Sequence, residues 1–184
     1  MSKIIKVIME NSAILISILA LIFTIYSFWW MNWRRGKLIV GIPRSYAAFS
    51  SKDGILVLEF PFDFFNNGPL PIIIRNMRLV ILNEESDIPL TFTAIVKKLG
   101  NDEDRDMSTQ IVIPGMEANV IICEFQRRPG ELIFENKTYK IELQVKLDKK
   151  THWKKLLTFP MTVTERDLNT INNLFITHDN MNIY

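Results

Sequence analysis

Tyr139-Lys140-Ile141-Glu142-Leu143-Gln144-Val145-Lys146-Leu147 alternates apolar and polar side chains over nine positions. Successive side chains of a strand point to opposite faces, so this segment reads as a β-strand with one face buried and one in water. Working outward, Asp148-Lys149-Lys150 is turn material. Trp153, Lys155, Leu157, Phe159, Met161 and Val163 then resume the same period with one charged exception. Upstream, Leu56, Leu58, Phe60, Phe62 and Phe64 alternate with Val57, Glu59, Pro61 and Asp63. Less regular strands are expected at 38–42, 72–82, 90–96, 110–113 and 118–125. The turn material between them is Lys52-Asp53-Gly54, Asn66-Asn67-Gly68-Pro69, Asn83-Glu84-Glu85-Ser86-Asp87 and Pro114-Gly115. Pro61, Pro71, Pro89 and Pro160 lie within or beside strands and argue for bulges or edges. About eight short strands with no helix between them predict a mainly β protein whose residues 38–164 form an antiparallel β-sandwich. A short C-terminal helix is expected from Glu165 to Ile176, within a helix and tail spanning 165–184. Thr164 would be its cap, Asp167 falls in its first turn, and Leu168, Ile171, Leu174 and Phe175 form its apolar stripe.

The chain opens differently. From Ala13 to Met31 there is no charge and little polarity, and Phe28-Trp29-Trp30-Met31-Asn32-Trp33 leads into Arg34-Arg35-Gly36-Lys37. A helix rises about 1.5 Å per residue, so about 20 residues cross the roughly 30 Å hydrocarbon core of a bilayer. Residues 12–33 therefore predict a single transmembrane helix, preceded by a tail at 1–11 and followed by a basic juxtamembrane segment at 34–37. Trp29, Trp30 and Trp33 would meet the headgroups as an aromatic belt, with Arg34, Arg35 and Lys37 in water beyond. A cleavable signal would show a shorter apolar run and a small-residue cleavage site, where this chain has Trp-Trp-Met-Asn-Trp-Arg-Arg. A soluble core helix would carry a polar stripe, but only Ser17, Thr24, Tyr26 and Ser27 interrupt this one, and they are scattered. A pilin-type assembly helix also precedes a β-sandwich, but Met1 to Lys6 lacks the expected processing pattern. The span is read as an anchor in the cell membrane.

Orientation follows from charge. Arg34, Arg35, Lys37 and Arg44 downstream outweigh Lys3 and Lys6 upstream, so the soluble domain is expected in the cytoplasm. The single cysteine, Cys123, permits no intrachain disulfide, in keeping with a reducing compartment. Ile121 and Phe125 share its strand face, which predicts a buried apolar thiol. Of the net charge of +2, residues 1–35 carry +3 and the remainder −1, so the soluble part has no general footprint for nucleic acid.

Catalytic material is scarce. His152 and His178 are read as lone surface histidines, too few for a triad or a metal cluster. Asn101-Asp102-Glu103-Asp104-Arg105-Asp106 has neither the EF-hand glycine nor its distal glutamate, and reads as a solvated acidic loop. Asp53, Glu59 and Asp63 are near in sequence without forming an acid/base pair. Asn136-Lys137-Thr138 matches a glycosylation acceptor, a pattern short enough to arise by chance. No catalysis and no cofactor are expected.

One charge feature stands out. Lys146, Lys149, Lys150, Lys154 and Lys155 surround a hairpin turn with His152 and Trp153 at its tip. Beside an anionic leaflet each lysine is worth about 1 kcal/mol. Lys149, Lys150, Trp153, Lys154 and Lys155 are therefore candidate membrane-surface contacts, although lysines also protect a hairpin's edges from association. No aromatic ladder accompanies them for stacking bases, so nucleic acid is not an expected partner.

Three pieces in order, Phe62-Asp63-Phe64-Phe65-Asn66-Asn67-Gly68-Pro69-Leu70-Pro71, then Ile113-Pro114-Gly115, then Tyr139 to Asp148, resemble prokaryotic immunoglobulin-like modules of the cell-adhesion-related (CARDB-like) group. The resemblance spans about Leu56 to Asp148, with Asn-Asn-Gly-Pro and a helix-like tail as departures. It implies binding or scaffolding and no catalytic residues. The layout is also similar to short prokaryotic proteins with an N-terminal anchor and one β-sandwich. Two function classes follow. One is a non-catalytic module presenting the sandwich at the membrane to a partner protein. The other is a membrane effector, for example of a defence system, whose oligomerising anchor perturbs the bilayer. Ser17, Thr24 and Ser27 permit polar contacts between helices, so a homo-oligomer is compatible with the sequence.

Overall fold

The computed structural model describes residues 3–51, 54–82, 86–100, 104–128 and 132–180, with side chains from Ser12 onward. Turn residues Lys52 and Asp53, loop residues Asn83 to Glu85 and Asn101 to Glu103, and the ends of both tails lie outside them. Helix α1 runs Lys3–Asn32. The strands are β1 (Leu38–Val40), β2 (Ser45–Ser50), β3 (Leu56–Asn66), β4 (Ile72–Leu82), β5 (Ile88–Val96), β6 (Arg105–Met107), β7 (Ile111–Ile113), β8 (Ala118–Arg127), β9 (Lys137–Leu147), β10 (Lys154–Val163) and β11 (Ile176–Asp179). Helix α2 (Glu165–Ile171) lies between the last two.

All the described strand pairings are antiparallel and join one sheet in the order β10-β9-β4-β5-β8-β3-β2-β11, with β1 on β3, β6 on β5 and β7 on β4. The two layers expected of a sandwich are the two halves of this sheet, curled until its ends meet. Four strands separate β3 from β10 along the sheet, yet Phe60 and Phe62 of β3 meet Phe159 of β10 edge-on at 5.2 and 5.9 Å. These rings, with Phe64, Phe125 and the fully buried Ile141, Leu143 and Val145, form the core. Edge-to-face pairing suits rings that must fill a narrow layer and contributes beyond area burial.

Two side chains fasten the curl. Asn180, 1% exposed, follows β11. Its amide donates to the Pro160 carbonyl (2.9 Å) and its Oδ1 accepts the Thr162 N–H (3.1 Å). A side-chain amide thus stands in for a strand along β10, whose edge would otherwise carry unpaired groups. Alongside, the Tyr46 hydroxyl donates to the Thr162 carbonyl at 2.9 Å.

Several details correct the sequence reading. The charged exception in β10 is a register shift between Lys155 and Leu157. It leaves Lys155 outside, 3.0 Å from Glu142. Helix α2 has the expected Thr164 cap, closed into a capping box by Asp167, but stops at Ile171, and Leu174 of the expected stripe is exposed. Asn172 explains the stop: its side chain bonds both the N–H and the carbonyl of Phe134, and β-branched Ile176 and Thr177 then enter β11. His178 is no surface histidine. It is 6% exposed, stacked on Tyr46 (5.4 Å) and bonded through Nδ1 to Asp167 Oδ1 (2.9 Å). Cys123 is buried as expected, and burial pushes its thiol pKa up.

Leu143→Ala should remove about 2–5 kcal/mol of stability, as cavity-forming substitutions do, whereas Glu142→Ala should remove about 1 kcal/mol or less. Equal shifts of the urea midpoint would refute the assigned faces. Asn180→Ala, which strands the Thr162 N–H and Pro160 carbonyl, should cost about 1–3 kcal/mol, read as a lower urea midpoint.

Candidate membrane-facing end

The expected interface residues cluster where α1 joins the sheet. Among the described residues of α1, Ser12–Asn32 is long and apolar enough to cross a bilayer, and none of it is buried against the domain. The hydroxyls of Ser17 and Thr24 donate to the carbonyls four residues back, Ala13 and Ala20, at 2.8 Å. Such back-bonding satisfies a hydroxyl without a second helix. Near the end of α1, Tyr26 packs on Trp29 and Trp30 at 6.1 Å each, and Phe28 meets Trp33 edge-on at 5.6 Å. Trp29, Trp30 and Trp33 are all exposed. The Arg34 guanidinium lies 4.4 Å over the Trp30 ring, a cation–π contact joining belt and basic segment. Arg35 and Lys37 are exposed.

Two asparagines clamp this segment to the domain. Arg34 donates to the Asn67 carbonyl, and the Lys37 N–H donates to Asn67 Oδ1 at 2.7 Å. Asn66, fully buried, uses its amide to reach the carbonyls of Leu70 (2.8 Å) and Pro114 (3.0 Å), while its Oδ1 accepts the Gly68 N–H (3.0 Å). The Gly68 carbonyl in turn accepts the Met116 N–H at 2.9 Å. Gly36 and Gly68 touch backbone to backbone: a Cβ at Gly36 would fall 2.4 Å from the Gly68 nitrogen. Glycine is required there by close approach.

The β9–β10 turn comes to the same end. Asp148, at φ +48°, donates its N–H to the Ile73 carbonyl (2.8 Å), and its Oδ1 accepts the Ile73 N–H (3.2 Å). Lys149 and Lys150 are therefore held, exposed, beside the start of β4. The five candidate surface contacts separate here. Lys154 is exposed, Lys155 faces Glu142, and Trp153 turns back onto the sheet. Its ring is half-buried, with Arg78 Cζ and Lys146 Nζ each 4.5 Å from the ring centroid. Beside it a groove of about 510 Å³ is lined by Arg78, Thr91, Gln126, Arg127, Arg128 and Trp153. Arg78 is oriented by Gln144 Oε1 at 2.7 Å. Burial works to raise the Glu142 pKa, but its hydrogen bonds from Gln144 and Lys155 and the nearby lysine charges hold it below the usual carboxylate value.

Sequence reasoning missed two buried carboxylates. Glu59 and Glu124 stand opposite each other on β3 and β8. Glu59 accepts the Gly100 N–H (2.8 Å), and Glu124 takes Arg105 (2.5 Å), Thr93 and Gln126 (2.7 Å each). Both occupy positions that alternation assigns to water; Gly100 after β5 bonds Glu59, and Arg105 of β6 pairs with Glu124. Only the register could have revealed it. From the acidic stretch between β5 and β6, Asp104 pairs with Lys97 at 3.4 Å and Arg105 enters β6. The described residues contain no group of three or more metal-ligating side chains. The Asp167–His178 pair fastens α2 to β11. Burial works to raise the Asp167 pKa, and its bonds from Thr164 and His178 outweigh it, so the group stays ionised to lower pH.

No family model matches this chain, and no curated protein matches it. Among solved structures, it is similar to a protein from Archaeoglobus fulgidus at 10% identity and a TM-score of 0.35, covering 71% of this chain and 97% of that one. It is also similar to the putative ApaA protein from Bordetella pertussis, at 13% identity and 0.33, covering 72% and 98%. At these scores neither likeness bears on function.

Gly36→Val should open the clamp while leaving the sheet intact. Trypsin should then cut at Arg34, Arg35 and Lys37 about tenfold faster for each 1.4 kcal/mol of clamp lost, with little change in the urea midpoint. An unchanged cleavage rate would refute the clamp. Stability supplied by Asp167, whose folded pKa is depressed, is present above its unfolded value of about 3.9 and lost as pH falls through the lower folded value. Asp167→Asn should flatten that acid limb of the pH–stability curve.

Proposed function

We propose that this chain is a non-catalytic, single-pass anchor protein that presents an immunoglobulin-like sandwich at the cell membrane to a partner protein. One observation carries the reading: a wholly exposed apolar helix of 21 residues, ended by tryptophans and arginines, is clamped to the domain by Asn67. A flexible tether would only localise the domain, whereas a clamp also sets which faces look away from the bilayer. The arginine and lysine excess after the span supports a cytoplasmic domain and an outside N-terminus. The internally satisfied Ser17 and Thr24 hydroxyls favour a silent anchor over an oligomerising effector. The groove beside Trp153 and the α2 end are the faces left open to a partner.

Topology tests the reading first. A cysteine at Ser51, in Cys123→Ala protein, should be shielded from an impermeant maleimide in intact cells and react after permeabilisation. Labelling from outside would invert the orientation, and extraction of the protein from membranes by alkaline carbonate would refute the anchor itself.

A further inference from the structure

We propose that the Asn66 end of the domain is seated on the bilayer, with the Pro114–Met116 turn among the headgroups and Lys149 and Lys150 on anionic lipids. The inference rests on the anchor reading above and adds a defined contact face. Continuity is the first argument. α1 ends at Asn32, and the clamp begins at Arg34. Two residues of fully extended chain span at most about 7 Å, less than the Debye length of about 8 Å at physiological ionic strength. The domain end that meets α1 is therefore held within the field of the leaflet from which α1 emerges.

Hydrogen bonds define what that end contains. Asn67 holds the anchor, Gly68 holds Met116, and Ile73 holds Asp148, so three loops share one rim. Its charges complement anionic headgroups. Arg35, Lys37, Lys149 and Lys150 are exposed, and Arg34 is fixed between Trp30 and Asn67. Against them stand Glu117 and Asp148, the latter engaged with the Ile73 N–H. The rim also exposes apolar side chains without a described partner in the fold. Met116, at φ +59°, projects from the turn at 62% exposure, and Val112 and Ile73, paired across β7 and β4, are 53% and 37% exposed. Apolar side chains ringed by lysine and arginine suit the boundary between headgroups and acyl chains.

The test uses the full chain in nanodiscs of phosphatidylcholine alone or mixed with phosphatidylglycerol. In Cys123→Ala protein, nitroxides are placed singly at Met116→Cys, Val112→Cys, Arg166→Cys on α2 and Ile22→Cys in α1. Relaxation by lipid-soluble oxygen and by a water-soluble nickel chelate is compared at each. Seating predicts that labels at 116 and 112 favour oxygen in the anionic discs and lose that preference with Lys149→Glu/Lys150→Glu, while the label at 166 favours nickel throughout. Labels at 116 and 112 as wet as that at 166, with the label at 22 in lipid, would overturn the seat and leave the anchor standing. Lipid contact indifferent to the double charge reversal would overturn the role of the lysines. A wet label at 22 would overturn both readings.

Discussion

Everything at the junction depends on the paired amides of Asn66 and Asn67. Asn66 faces inward and holds two loops of the sheet together from a fully buried position, while Asn67 takes hold of the segment that follows α1. Asn66 is the last residue of β3 and Asn67 opens the loop beyond it, so two neighbours of one type serve the interior and the junction at once. Asn66 donates and accepts through one planar amide, whereas Asn67 accepts twice, through its main-chain carbonyl and its Oδ1. Gly36 and Gly68 complete the arrangement by bringing two backbones closer than any side chain permits. The join between helix and domain is thus built from short polar groups and bare backbone.

The sheet supplies the rigid body on which this junction acts. Its aromatic interior is concentrated on alternate residues of β3, where Phe60 and Phe62 meet Phe159, Phe62 also meets Phe125, and Phe64 packs on Phe62. Large flat side chains at every second position fill the space between the two halves from one strand. On the outer face the same alternation is overridden twice. Gly100 and Arg105 reach in to Glu59 and Glu124, and Trp153 packs with Arg78 and Lys146. Buried carboxylates need donors, and Gly100, Thr93, Gln126 and Arg105 provide them.

Periodicity made the long strands legible because each has one dry face, although β3 is buried on both faces from Leu56 to Phe60 and β10 shifts register after Lys155. The short strands did not announce themselves. β6 is exposed along its length and β2 is Ser-Tyr-Ala-Ala-Phe-Ser, so neither shows alternation, and both exist because a longer neighbour offers an edge. β11 was hidden for a related reason: it follows a capped helix whose stop depends on Asn172 reaching Phe134, some 38 residues away in sequence. The long apolar helix and its flanking tryptophans and arginines were plain from composition. The loops that join them at the rim were visible only as turns, since spacing along a chain does not reveal which turns share an end.

Asn180 has a consequence for the protein as a population. A chain confined by its helix to a surface would meet its own copies at far higher local density than the same chain in solution. In such a layer a bare strand edge is a standing invitation to lateral zippering. By occupying the β10 edge with a side-chain amide, Asn180 leaves that flank with fewer backbone groups to offer a neighbour. The residue that helps close the sheet on itself would thereby also keep that edge from pairing with a second copy.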